Sequence, residues 1–227
     1  MSFIDRYRSP ADLPERLPVF PLAGVLLLPR TQIPLNIFEP RYLAMVDAAL
    51  AGDRLIGMIQ PDGLEAMAAQ GDPSAKPAIH QVGCAGRITA FSETEDGRVL
   101  ITLTGICRFK VKEELDTITP FRQVRADFSP YADDLNADTG ADKVDRERLL
   151  DVLKRYLTRY DLRADWQAIK NSGSETLVNS LSVISPYGPA EKQALLEAKT
   201  LEDRNQMLIA LTEMALAGDS EDGTNLQ

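Results

Sequence analysis

The chain has 227 residues, of which 44% are hydrophobic and 26% are charged, a composition typical of globular proteins and not of disordered ones. The net charge is −9, and residues 131–227 hold most of it, with 11 Lys or Arg against 18 Asp or Glu. An acidic chain repels phosphate backbones, which argues against nucleic acid as a partner. No apolar run approaches the ~18 residues of a membrane span. The N-terminus lacks the apolar core of a secretory signal, so we expect a cytoplasmic protein that meets no membrane.

Residues 17–61 place short apolar runs between prolines. Because proline fits neither a helix interior nor a central strand, this spacing predicts short edge strands joined by tight corners. The prolines are Pro18, Pro21, Pro29 and Pro34, and the runs are residues 19–20, 25–28 and 35–38. A helix is predicted from Pro40, which suits a first helical position, to Gly52. Its inward positions are Tyr42, Leu43, Val46 and Leu50.

Residues 55–59 return as a strand, and residues 62–78 are predicted to be a loop, in which residues 64–69 form a helical turn. From residue 82 to 128 apolar and polar residues alternate with period two, which predicts several strands. Asp96-Gly97 marks a hairpin turn between two of them. Gly105 interrupts a strand pattern, which indicates a bulge or a corner where the sheet bends. The pattern is typical of a small, strongly curved sheet or an incomplete barrel.

After Pro130 the period changes to that of helices. Residues 131–142 form a polar, acidic connection, and four amphipathic helices follow it. We place them at residues 149–160, Ser174–Ile184, a short segment from Pro189, and a last helix with a capping box of Thr200 and Asp203. Their predicted inward residues include Ile184 and Met214. The fold class is therefore α+β, with a β-rich domain at 1–130, a helical domain at 131–217 and a flexible tail at 218–227.

The opening segment resembles a known family. The motifs PVFPL, LLLP and IPLNIFEPRY, followed by a helix that ends in AL, resemble the start of the Lon N-terminal domain. That domain is the substrate-binding module ahead of the ATPase in Lon proteases. Residues 83–88 (GCAGRI) and 105–109 give weaker matches, and the EPRY form is similar to that of stand-alone bacterial members. The resemblance implies a PUA-like pseudo-barrel with one inserted helix, followed by a C-terminal helical bundle.

The sequence lacks the residue sets of common catalytic sites. His80 is the only histidine, which excludes a multi-histidine metal site, and no motif accompanies it that would indicate a Ser-His-Asp triad or a Cys-His pair. We interpret His80 as a residue at a strand entry rather than a proton shuttle or surface contact. Ser74 lies in GDPSA, which is only superficially similar to the serine motif of the Lon peptidase domain, and we interpret it as a Pro-Ser turn.

Nucleotide, metal and redox sites are likewise not expected. No phosphate-cradling glycine loop occurs in the sequence. Cys84 and Cys107 are too few for a disulfide framework and form no Cys-x-x-Cys pair. We interpret both as buried small hydrophobic residues rather than redox partners. No cofactor and no metal are predicted.

The EPRY corner is the candidate polypeptide-binding site, with Phe38, Glu39, Arg41 and Tyr42. It combines an aromatic pair, a rigid turn and both charge signs, and aromatic residues and arginine supply most interface hot spots. In the alternative interpretation Phe38 and Tyr42 enter the core, and Glu39 or Arg41 forms a structural salt bridge. Arg108, which follows the Gly105 corner, is interpreted as part of an internal ion pair rather than a ligand anchor.

Two functions remain open at this stage. The resemblance implies a non-catalytic module that binds polypeptide clients or a partner protease or chaperone. The rival is a small-molecule binder or an enzyme that uses the cleft of the PUA-like fold. An open apolar groove favours the first function, whereas a pocket lined by converging polar groups favours the second.

Overall fold

The sheet is built from six strands in the computed structural model, which describes residues 6–63 and 76–222, with side chains to residue 217. The strands are β1 Arg16–Pro21, β2 Gln32–Ile37, β3 Leu55–Pro61, β4 Ile79–Glu93, β5 Val99–Leu115 and β6 Gln123–Asp127. Their order is β2-β5-β4-β3-β1-β6, and β5 also pairs with β6. The strands β5-β4-β3-β1-β6 therefore close into a ring, and β2 is joined to it only through β5 within the described residues.

The α-helices are α1 Pro40–Ala51, α2 Arg146–Arg159, α3 Trp166–Asn171, α4 Ser174–Ile184, α5 Pro189–Glu197 and α6 Leu201–Asp222. Short 3-10 helices occupy Pro10–Asp12, Ser129–Leu135 and Ala141–Lys143. Helix α1 lies between β2 and β3 in the chain, and the other α-helices follow the last strand. The predicted α+β class, with a strand-rich first part and a helical second part, is confirmed.

Ring closure depends on the length of β5. Its first half lies between β2 and β4, so that Leu100 is paired with Asn36 on one side and Ser92 on the other. Its second half lies between β4 and β6, where Val111 is paired with Ala126. Among these six strands only β1 and β3 run parallel; the other pairs are antiparallel. Strand β5 thus connects the edge strand β2 to the closed ring.

Gly105 lies at the bend that makes this change possible. Ala85 is paired with Cys107 and Gly86 with Gly105, so Ile106 is an extra residue in β5. This is the bulge predicted from the sequence, and it is confirmed. A Cβ atom on Gly105 would lie 2.0 Å from the carbonyl oxygen of Leu28, so only glycine lets the preceding chain approach β5 this closely.

The segment 25–28 that approaches Gly105 is not a strand, and this prediction was wrong. Leu26, Leu27 and Leu28 are buried, but their backbone is irregular. The Thr31 hydroxyl accepts the Leu28 N–H at 3.1 Å and donates to the Leu28 carbonyl at 2.8 Å. A local turn thus satisfies the backbone groups of Leu28, so the end of the apolar run needs no strand partner.

The predicted hairpin turn and the predicted end of α1 are confirmed. Gly97 adopts φ +78° in the β4–β5 turn, as expected for a hairpin, and Gly52 ends α1. Helix α1 buries Tyr42, Met45, Val46 and Ala49, whereas Leu43 and Leu50 are only partly buried. The predicted helical turn at residues 64–69 lies outside the described residues.

The helical part differs from prediction in three places. Helix α3 was missed because it is short; it begins where the Asp165 carboxylate accepts the Ala168 N–H at 3.0 Å. Ile184 and Met214 were predicted to face inward, yet they are 72% and 69% exposed because no element of the described chain covers them. The predicted capping box is confirmed, with Thr200 Oγ1 accepting the Asp203 N–H at 3.0 Å. Helix α6 then continues to Asp222, into the predicted tail.

One hydrophobic cluster joins sheet and helices. It includes Phe20 and Leu103 from the strands together with Val178, Leu195 and Leu208 from α4, α5 and α6. A second cluster fills the interior of the ring, where Phe109 lies among the side chains of Leu17, Val124 and other strand residues. The division into domains at Pro130 stays a prediction about independent folding.

The connection 131–142 is less exposed than the sequence suggested, because Asp134 is buried against Arg108. Arg108 donates to the two carboxylate oxygens of Asp134 through Nε and Nη2, both at 2.8 Å. Its Nη1 donates to the carbonyls of Leu196, at 3.0 Å, and Ala198. Burial opposes the charged form of Arg108, but the hydrogen bond and charge of Asp134 outweigh it and raise the pKa of Arg108. The predicted internal ion pair is confirmed.

The bend at Gly105 leads to a testable prediction. We expect Gly105→Ala to lower the free energy of unfolding by about 3 kcal/mol, since the added methyl meets backbone rather than a mobile side chain. Gly173→Ala is the matched control: its Cβ would meet only the Asp138 carboxylate at 3.6 Å, and we expect a loss below about 1 kcal/mol. Urea denaturation measures both. Equal losses would contradict the steric account of the bend.

Candidate functional site

The EPRY corner presents one of its two aromatic rings to solvent. Phe38 directly follows β2 and is 62% exposed. The guanidinium of Arg98, from the β4–β5 turn, lies 5.9 Å from the centre of its ring. Phe38 is therefore accessible to a ligand and has a cation beside it, as the interpretation of this corner as a binding site requires.

The remaining residues of the corner are partly structural. Glu39 is the N-cap residue of α1, and its carboxylate accepts a hydrogen bond from Arg41 Nε at 2.9 Å. The Arg41 guanidinium lies 4.6 Å from the centre of the Tyr42 ring, which packs against Phe20 in the core. Burial raises the pKa of Tyr42, so the phenol stays neutral. Tyr42 is thus buried between Arg41 and the core, as in the alternative interpretation of this corner.

A second candidate surface, which the sequence did not predict, lies between helices. We call it the helical groove. It is an apolar concavity of about 190 Å³ bounded by α2, α4 and α6. The residues that line it are Leu149, Leu153, Tyr156, Leu157, Leu162, Leu181, Ile184, Ser185, Pro186, Tyr187, Leu208 and Thr212. Leu149 and Leu208 form a buried floor, and Leu162 and Ile184 form an exposed rim.

The groove arises from an apolar stripe on α2 that its neighbours cover only in part. The predicted stripe of six residues along α2 is buried at Leu149 and Val152, half-buried at Leu153, Tyr156 and Leu157, and exposed at Tyr160. Helix α4 ends at Ile184, before Pro186, and its last residue lines the groove together with the half-buried Tyr156 and Leu157. The sequence signal was the apolar stripe itself, whose C-terminal residues are only partly covered.

The chemistry of the helical groove suits apolar side chains. None of the described residues that line it is charged. The hydroxyls of Tyr187 and Thr212 are hydrogen-bonded to each other at 2.8 Å, so they demand no partner from a ligand. Burial of apolar surface contributes about 25 cal/mol per Å². The groove can therefore hold hydrophobic side chains of an extended chain.

The other singled-out residues offer no reactive cluster. His80 is the second residue of β4, as predicted, with Nε2 3.7 Å from an Asp62 carboxylate oxygen. Cys84 and Cys107 are buried free thiols, as predicted, and burial raises the pKa of both. Ser74 lies outside the described residues. Within 6–63 and 76–222, no group of His, Cys, Asp and Glu side chains has an arrangement suited to a metal ion.

None of the helices in the described part of the chain combines the length and the apolar character that are needed to cross a bilayer.

Comparison with known protein families gives a match over most of the chain. A family model for the ATP-dependent protease La (LON) substrate-binding domain matches residues 16–213. A Lon protease of Flavobacterium johnsoniae is 28% identical over 217 residues, which cover 92% of this chain and 26% of the relative. A Lon protease of Trichlorobacter lovleyi is 32% identical over 114 residues, 50% of this chain and 13% of the relative. The chain thus spans about a quarter or less of these curated relatives.

Two solved structures share the fold. The crystal structure of a Lon N-terminal domain protein from Xanthomonas campestris has a TM-score of 0.59 and 23% identity, and covers 86% of this chain and 97% of its own. The N-terminal domain of the Mycobacterium avium complex Lon protease has a TM-score of 0.64 and 17% identity, with coverages of 87% and 98%. At these identities the likeness shows the fold alone.

Burial of the two thiols leads to a prediction about reactivity. Because the thiolate is the nucleophile and burial raises the pKa of Cys84 and Cys107, we expect a water-soluble disulfide reagent to leave both unlabelled in the native protein. Both should react in denaturant, where the thiols are exposed. Absorbance of the released thiolate measures the two rates. Rapid labelling of a native thiol would contradict the burial of these side chains.

Proposed function

The chain belongs to the family of Lon substrate-binding domains, and from this membership we propose that it is a non-catalytic module that binds polypeptides. The ligands in this proposal are unfolded chains or exposed hydrophobic segments of proteins. Binding requires neither a nucleophile nor a cofactor, which agrees with a sequence that contains no complete catalytic motif.

The helical groove is the single observation that carries the proposal. It is open, apolar and free of charged lining residues within the described chain, and its rim residue Ile184 is largely exposed. Natural proteins seldom leave an apolar concavity uncovered unless it meets a ligand. A volume of about 190 Å³ suits side chains of an extended segment rather than a folded partner.

We further propose that the EPRY corner contributes a second contact. Phe38 supplies an exposed ring, Glu39 and Arg41 supply paired charges at its side, and Tyr42 holds Arg41 in place. The exposed position of Phe38 supports this role, since exposed aromatic residues and arginine are frequent anchors in interfaces.

The cellular setting belongs to the same proposal. We place the module in the cytoplasm, where a protease or chaperone partner receives the bound client. The two unpaired thiols fit a reducing compartment. The acidic charge disfavours nucleic acid as a competing ligand.

One prediction of the proposed function concerns the rim of the helical groove. Ile184→Ser should weaken binding of a fluorescently labelled peptide rich in Leu and Phe by about tenfold, because the buried contact of one large aliphatic side chain is lost. The free energy of unfolding should change by only about 0.5 kcal/mol, as for other exposed positions. Fluorescence anisotropy measures the affinity.

Met214→Ser is the matched control for this experiment. Met214 is as exposed as Ile184 and also lies in the helical part, but it does not line the groove. Its replacement should leave the affinity unchanged. Equal effects of the two substitutions, or none from Ile184→Ser, would show that the groove is not the binding surface.

Another prediction distinguishes a ligand-binding role of the EPRY corner from a purely structural role. Phe38→Ala should change the free energy of unfolding by only about 0.5 kcal/mol, because the ring is exposed. Both Phe38→Ala and Arg41→Ala should weaken peptide binding by more than about 1 kcal/mol. Ile118→Ala, at a fully exposed position away from the corner, is the control and should have no effect. If both variants fold and bind the peptide with unchanged affinity, the residues of the corner have only a structural role.

A further inference from the structure

A polar cavity of about 290 Å³ lies where the sheet meets the helices. It is bounded by the chain before β2, by β5, by the segment after β6 and by the N-terminus of α6. It shares no lining residue with the helical groove, so a ligand in this cavity occupies a site separate from that groove. Three arginines and two buried carboxylates dominate its interior: Arg30, Arg108, Arg204, Asp134 and Glu175.

Two of the arginines are paired within the protein. Arg108 holds both carboxylate oxygens of Asp134. Arg30 in turn binds Glu175 through Nε, at 3.0 Å, and through Nη2. Each of these guanidiniums therefore has its own carboxylate, and neither carboxylate is left over for the third arginine.

Arg204 has no such counterion among the described residues. It is 3% exposed, and its Nε and Nη1 donate to the neutral oxygens of Leu195, at 2.9 Å, and Asn179, at 2.8 Å. Its Nη2 has no hydrogen-bond partner in the same part of the chain. Burial, together with the charge of Arg108, lowers the pKa of Arg204 to about 10, so the side chain stays charged at neutral pH. A buried charge without a counterion is costly, so a bound anion would stabilise this arrangement.

The start of α6 adds donors on the same side of the cavity. The hydrogen bond from the Arg204 N–H to the Thr200 carbonyl, at 3.1 Å, belongs to the first turn of the helix. The amides of Leu201 and Glu202 precede it and have no intrahelical acceptor. Both residues line the cavity. The positive end of a helix macrodipole favours an anion at this position.

The charge balance selects the kind of anion. Within the described residues, the interior carries one positive charge in excess of its carboxylates. At the mouth, Lys143 and Lys199 stand against the three carboxylates of Asp133, Asp142 and Glu202, so the mouth adds no attraction for an anion and the attraction comes from the interior. A singly charged group neutralises the excess, whereas a doubly charged phosphate overcompensates it.

We propose that this cavity binds one carboxylate group, which forms a salt bridge with Arg204 and accepts hydrogen bonds from the first amides of α6. The volume accommodates a small carboxylic acid or the terminal residue of a polypeptide. Both sources offer the same chemistry, and the experiment distinguishes them.

The test uses isothermal titration of the full chain at constant ionic strength, so that general screening is the same in every arm. The probes are acetate, inorganic phosphate, a short peptide with a free C-terminal carboxylate and the same peptide amidated. We expect acetate, or the free-carboxylate peptide, or both, to bind. Binding of acetate alone identifies small acids as the ligand class, and a loss of binding on amidation identifies chain termini. Binding of neither carboxylate probe, or of phosphate alone, would overturn the proposal.

Arg204→Met tests the anchor itself, because it removes the charge and keeps an unbranched side chain. Carboxylate affinity should fall at least about tenfold, the effect of losing one charged hydrogen-bonding partner. Arg155→Met, which removes an exposed arginine of α2 outside the cavity, is the matched control and should bind as the parent protein does. Undiminished binding by folded Arg204→Met contradicts the assignment. The parent protein's titration decides the proposal even where this variant does not fold.

Discussion

The buried ion pair between Arg108 and Asp134 connects three parts of the chain that are distant in sequence. Arg108 belongs to β5, Asp134 to the 3-10 segment after β6, and the carbonyls that Arg108 also binds come from the end of α5. Loss of one partner of such a pair costs about 3–5 kcal/mol, although replacement of both by apolar residues is often neutral. The pair therefore contributes less to net stability than to position: it ties the end of α5 and the segment after β6 to the sheet, beside the polar cavity that both residues line.

Much of the fold could be read from local patterns. The alternation in β4 and β5, the turn at Gly97 and the bulge after Gly105 are short-range features, and Pro40 and Gly52 mark the ends of α1. Sequence patterns gave wrong predictions where contacts between distant parts of the chain, or local turns, determine the backbone conformation or the burial of a side chain. Residues 25–28 have the composition of a strand but are satisfied by a turn at Thr31. Asp134 is buried and neighbouring Asp133 is exposed, because the carboxylate of Asp134 is bound by Arg108, a residue distant in sequence.

The candidate site shows the same division. Its first part could be predicted because the EPRY motif concentrates unusual residues in one short segment, although only the structure distinguishes exposed Phe38 from buried Tyr42. The helical groove joins residues of three helices that no motif connects. Periodicity placed Ile184 inward because it reports which face of α4 is apolar. It carries no information about whether another helix extends far enough to cover that face.

The open edge of the sheet has a consequence for behaviour at high concentration. Strand β2 pairs only with β5 within the described chain, and a free edge is a template on which another extended chain can add as a strand. Pro34 lies in the middle of β2 and lacks an N–H, while Gln32 and Asn36 flank it with exposed polar side chains. This interrupts the ladder that a growing aggregate would need. Copies of this protein that meet at high concentration are therefore less able to assemble into fibrils through the backbone of this edge.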